Sequence, residues 1–141
     1  MDDVILNKAA IIERCLKRIR DEYSPDPALF RTDLKTQDAV ILNIQRACEA
    51  CIDLAMHLVR VHKLGVPQES RDAFRTLEKN GIISKELSSE LQNMVGFRNI
   101  AIDDYQTINL DIVESIIHKN VNSISEFASL ALSLSQARQQ T

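Results

Sequence analysis

An all-α fold is predicted for this 141-residue chain, and three observations predict it. Helix breakers are scarce, with 3 Gly and 3 Pro in the whole sequence. Aromatics make up only 4% of residues, while Leu, Ile and Ala supply most of a 45% hydrophobic content. Those apolar residues recur at spacings of three and four, which places them on one stripe of a helix and leaves no need for strands. The length suits one domain. The expectation is an antiparallel bundle of four long helices plus one short helix over residues 1–135, with a polar, frayed tail at 136–141.

The first helix starts near Asp2 or Asp3, with Ile5, Ala9, Ile12, Leu16 and Ile19 as its apolar stripe. Tyr23-Ser24-Pro25-Asp26-Pro27 stops it, because proline lacks an amide donor and disfavours helical geometry in its predecessor, and a loop follows. From about Gln37 to Leu64 the chain is helical again, with Val40, Ile44, Ala47, Cys51, Ala55 and Leu58 inward and Gly65 and Pro67 as the stop. At the standard rise that stretch is about 40 Å long and forms the spine. A short helix from Ser70 to Lys79 carries Phe74 and Leu77 on one side and ends at Asn80-Gly81. Ser84 caps a fourth helix bearing Leu87, Leu91, Met94 and Val95. Asn109 or Thr107 caps the last, whose Val113, Ile116, Ile124, Phe127, Ala131 and Leu134 face the core.

The formal charge of -3 gives no global positive field, which leaves room only for a local basic cleft. Arg71, Arg75 and Lys79 step by four on the short helix, and Arg14, Lys17 and Arg18 lie together on the first. Each set suits phosphate contact or a solvated face. The N-terminus lacks the basic stretch and apolar run of a signal peptide, and no run of roughly 18 apolar residues occurs, so a cytoplasmic protein off the membrane is expected. Cys15, Cys48 and Cys51 form an odd set that argues for reduced thiols, and Cys48 and Cys51 fit an apolar helical stripe better than a redox or zinc half-site. No Gly-rich phosphate loop, Ser-His-Asp arrangement or zinc-finger spacing is present.

The fourth helix contains the feature that carries chemistry. Arg98 follows Met94 by four and Leu91 by seven, so a guanidinium enters the apolar stripe and demands an anionic partner. That partner is either an acid such as Glu49 or Asp53, or a ligand phosphate. On a continuous helix Arg98 and Asp103 point about 140° apart. The run Asp103-Asp104-Tyr105 is a poor helix interior, however, and a break just after Ile102 is expected to let Arg98, Asp103 and Tyr105 meet in one pocket. Glu49, Asp53 and His57 form a ladder on the long helix that either orients Arg98, lines a cleft or holds a metal; no metal site is assigned.

The run Arg98-Asn99-Ile100-Ala101-Ile102-Asp103-Asp104-Tyr105 resembles the R-x-x-x-x-H-x-Y motif of the HepT-like branch of HEPN domains, ribonuclease toxins paired with minimal nucleotidyltransferase antitoxins. The resemblance extends to length, helix order, Asn43-Ile44-Gln45-Arg46-Ala47, the Glu49, Asp53 and His57 ladder, and the Gly96-Phe97-Arg98-Asn99 lead into the motif. It implies a homodimer that cleaves RNA, either tRNA or mRNA, without metal or other cofactor. Arg98 and the residue at 103 would be catalytic, with Asn99, Asp104, Glu49, Asp53 and His57 lining or supporting the cleft. It also implies AMP transfer to Tyr105 by the antitoxin, against the alternative of a tyrosine that merely packs at the helix break.

This sequence departs from the motif at Asp103, where the family has histidine. Imidazole exchanges protons near neutral pH, whereas a carboxylate is a much weaker base and has no proton to give a leaving alkoxide. Asp103 and Asp104 also set two negative charges where a polyanion would dock. The expectation is therefore a toxin fold with impaired ribonuclease activity, or else a non-catalytic helical module that serves a nucleotidyltransferase partner.

Overall fold

The computed structural model describes residues 2–140, apart from the side chains of residues 106 and 138–140. Its helices are α1 (Asp3–Tyr23), α2 (Pro27–Phe30), α3 (Leu34–Val61), α4 (Ser70–Lys79), α5 (Lys85–Asp103), α6 (Leu110–Ser115) and α7 (Val121–Gln140). A 3-10 turn at Tyr105–Thr107 follows α5, and a π-turn at Ile116–Asn120 joins α6 to α7. No strand occurs among the described residues.

Local chemistry sets the helix starts. Asp2 accepts the Val4 and Ile5 amides, Asp33 accepts Thr36, Ser84 accepts Leu87 and Asn109 accepts Asp111, each meeting an amide that the first turn leaves unpaired. Glu69 and Asp72 cap each other reciprocally at α4. The loop expected before the spine contains α2, a single turn with Asp26 as cap and Pro27 inside the start, and α3 begins at Leu34 rather than near Gln37.

Pairings between helices give the topology. Lys8 meets Asp53 and Asp2 meets His57, so α1 and α3 run antiparallel. Tyr23 meets Glu114 and Ser125 meets Glu13, so the last helix also opposes α1. Glu49 meets Arg98 and Asp38 meets Tyr105, so α5 opposes α3. The result is an up-down-up-down bundle with α3 at its centre, and α4 packs across α3 and α5. Ile12, Leu16, Ile44, Leu54, Leu58 and Leu91 are fully buried in it, and the rings of Phe74 and Phe127 meet edge to face at 5.8 Å.

Cys15, Cys48 and Cys51 are buried and form no disulfide. Burial pushes the Cys48 and Cys51 thiols well above their usual range. The described backbone of α7 stays helical to Gln140; the tail expected at 136–141 lies partly outside the described residues. No described helix is long and apolar enough to cross a membrane.

Candidate active site

α5 ends at Asp103, and the Asp104 amide closes its last turn on the Ile100 carbonyl at 2.8 Å. The break expected after Ile102 thus falls one residue later, and this decides what the motif side chains reach. Arg98 and Asp103 remain on one regular helix and keep their angular separation. Within one chain, the expected single pocket for Arg98, Asp103 and Tyr105 does not form. Each of the three opens on different surroundings.

Arg98 lies against α3 and α4. Its Nη1 donates to Glu49 Oε1 at 2.8 Å and its Nη2 to Ser70 Oγ at 3.4 Å, while the buried Nε has no partner among the described residues. The arginine side chain is 18% exposed and that of Glu49 42%, so the pair is half-shielded rather than sealed. Glu69, Ser70, Arg71, Val95, Arg98 and Asn99 surround a small cavity of about 130 Å³. Arg98 is paired with Glu49 and Glu69 lies on the wall, so Arg71 and the donors that Arg98 leaves unused are what the cavity offers an anion.

Asp103 and Asp104 are exposed and border a different cleft of about 440 Å³, formed with Phe97, Ile100, Ile108 and Ile112. Ile100 and Ile112 on its wall are 50% and 51% exposed, so the cleft presents apolar surface to solvent. Tyr105, at the start of the 3-10 turn, donates its hydroxyl to Asp38 Oδ1 on α3. Partial burial, then the hydrogen bond and negative charge of Asp38, push the Tyr105 hydroxyl up to about 12.

The remaining ladder residues stand away from Arg98. Asp53 takes Lys8 at 3.0 Å, and His57 Nε2 lies 2.6 Å from Asp2 Oδ2 while Arg60 approaches its Nδ1 at 3.0 Å. Each rung of the ladder has its own partner on another element, so only Glu49 of the three orients Arg98. Among the described residues no group of three or more His, Cys, Asp or Glu side chains converges as metal ligands would. Asp38 and Ser70 were not anticipated, and no local pattern marks them. Asp38 follows only from the antiparallel register of α3 and α5, about three turns along from the Glu49 and Arg98 contact.

Comparison with known proteins now bears on this geometry. The family model described as "Ribonuclease HepT-like" matches residues 12–131. The chain belongs to the HepT-like ribonuclease family. An mRNA nuclease HepT from Shewanella oneidensis is 50% identical over 127 residues, covering 90% of this chain and 95% of that protein. The solved structure of a tri-AMPylated Shewanella oneidensis HEPN toxin in complex with MNT antitoxin superposes with a TM-score of 0.89 at 47% identity, over 94% of this chain and 99% of that one. A toxin-antitoxin structure with AMP-PNP gives a TM-score of 0.89 at 46% identity over the same shares of the two chains. Likeness at this level over nearly the full length fixes the family's helical fold.

Proposed function

We propose that this chain is the toxin member of a toxin-antitoxin pair, a homodimeric endoribonuclease of the HEPN type whose own activity is impaired by Asp103. The carrying observation is the 50% identity to an mRNA nuclease over 95% of that protein's length. The reaction needs no metal or cofactor. A ribose 2′-OH attacks the adjacent phosphorus, the bond to the leaving 5′-oxygen breaks, one group takes the 2′ proton and another supplies a proton to the leaving oxygen. Arg98 is the cation for the phosphorane. Its Nη2 is engaged only by the long contact to Ser70 and its Nε by nothing described, so donors remain for a phosphate beside Arg71 and Asn99.

Residue 103 is the proton-transfer position. Arg98 and Asp103 open on separate clefts of one chain, so bringing both to one phosphate takes a second copy, and the exposed isoleucines flanking Asp103 suit such a contact. RNA, either mRNA or tRNA, lies in the cleft between the copies, and the protein acts in the cytoplasm where those RNAs are. Glu49 holds Arg98 in place, and Asp104 adds to the repulsion that Asp103 imposes on phosphate.

Control comes from a nucleotidyltransferase antitoxin that moves AMP from ATP to Tyr105. The Tyr105 oxygen bonds to the α-phosphorus, its proton is lost to a base and pyrophosphate departs. The tri-AMPylated state of the 47% identical toxin supports this reading, and the modified tyrosine would add negative phosphates beside the RNA cleft. A second reading, a non-catalytic module recognised by the transferase, is favoured by one observation, the carboxylate at 103. Growth of a bacterial host separates the two. Asp103→His is expected to arrest growth, and co-expression of the cognate transferase to relieve the arrest with a gain of AMP mass on Tyr105. Unimpaired growth of cells making D103H supports the binding module instead.

A further inference from the structure

One face of α5 is polar from its first turn to the motif. Lys85, Ser89, Gln92, Gly96 and Asn99 recur at spacings of four and three, so they form a single stripe, and α4 lies alongside it. Lys85, Ser89 and Gln92 border a groove of about 410 Å³ whose other wall is Arg71, Arg75 and Glu78 of α4. Arg75 is paired with Asp72 at 2.8 Å and reaches Glu69 at 3.6 Å. Arg71 and Lys85 hold no carboxylate among the described residues, and Arg71 instead donates from Nε to the Gln92 carbonyl at 3.3 Å. With Arg75 neutralised by Asp72, Arg71 and Lys85 against Glu78 leave the groove locally positive in a chain whose net charge is -3.

Arg71 also borders the small cavity around Arg98, so groove and cavity share a guanidinium. Its guanidinium lies against Gly96, where a Cβ would come within 2.8 Å of Arg71 Nη2. A glycine in mid-helix weakens the helix, and here it leaves the space into which the guanidinium lies.

We infer that the α4–α5 groove is a binding track for the backbone of single-stranded RNA, leading a strand along Lys85 and Arg71 to Arg98. This rests on the nuclease reading above and adds to it the surface that holds the substrate outside the reacting phosphate. Arg71 and Lys85 take phosphates, and Ser89, Gln92 and Asn99 offer uncharged donors and acceptors to phosphate oxygens and 2′-hydroxyls. From Lys85 to Asn99 the track spans about 20 Å at the helical rise.

The test is fluorescence anisotropy of a labelled single-stranded RNA with the full chain over a series of KCl concentrations. Arg71→Gln and Lys85→Gln are each expected to weaken binding several-fold at low salt and to reduce the slope of log K against log[KCl] by about 0.7, the value for one lost single-strand phosphate contact. Lys85 is exposed, so its replacement leaves the core untouched. Arg14→Gln and Arg18→Gln on the far face of α1 are expected to match the unaltered chain. Slopes unchanged in R71Q and K85Q, or equal losses in R14Q and R18Q, overturn the track alone. Absence of salt-dependent RNA binding by the unaltered chain overturns the track and the nuclease reading together.

Discussion

Tyr105 and Asp38 show how much at this site depends on single side chains. The phenol sits 41% exposed at the break yet titrates far from its usual range, because partial burial and then the Asp38 carboxylate both disfavour the phenolate. The chain has one other tyrosine, Tyr23, which burial and Glu114 also push up to about 12. Asp38→Asn is expected to move one of the two tyrosinate transitions down from about 12 toward 10, leaving that of Tyr23 in place; ultraviolet titration reads this, and two unmoved transitions would refute the contact. The sign for stability follows, since both hydroxyls hold their protons more tightly when folded. Their contribution is complete below pH 10 and is lost as pH climbs to about 12, so alkaline solution destabilises the bundle. The role of Arg98 was legible in the sequence as a cation in an apolar stripe, and Glu49 was among the partners named for it. Asp38 was not legible, because nothing near it in sequence distinguishes it from a solvated aspartate.

At the scale of elements, the two ends flanking α4 contrast a legible stop with an illegible one. Asn80-Gly81 reads as a helix end, and Gly81 takes a φ of +74° while the Ile82 amide returns to the Leu77 carbonyl at 2.9 Å. At the end of α3 the sequence points to Gly65, which does take a positive φ of +124°, but Lys63 turns left-handed before it, at φ +57°, with the Leu64 amide returning to Val59 at 2.9 Å. A lysine there bears a strain that glycine would not. Lys63→Gly is expected to raise stability by roughly 1 kcal/mol and Gly81→Ala to lower it by about as much, on the cost of a left-handed β-carbon. Urea unfolding of both variants checks this, and shifts of the same sign would contradict it. The same limit applies to α5: residue chemistry announced a break, but only the fold shows that it comes one residue too late for Arg98 and Asp103 to meet.

For the whole molecule, the up-down-up-down bundle was legible because each long helix carries an apolar stripe that must be buried against another. The π-turn was not, and α2 reads as loop because its one turn is too short to show a stripe, although Asp26 and Pro27 are local start signals. The cysteines report on the integrity of this packing, being buried and pushed up by burial. All three thiols are expected to resist a thiol reagent in the folded protein and to react together on unfolding. Rapid modification of any one without loss of helix would show a looser core. The expected loss of nuclease activity lies at a different residue, Asp103, which faces solvent. The direct measurement is cleavage of labelled single-stranded RNA, in the presence of a metal chelator, by the unaltered chain and by Asp103→His. Cleavage by D103H at a rate at least about a hundredfold higher, the order of effect of a positioned general base, is the expected result. Equal rates from the two proteins would contradict it.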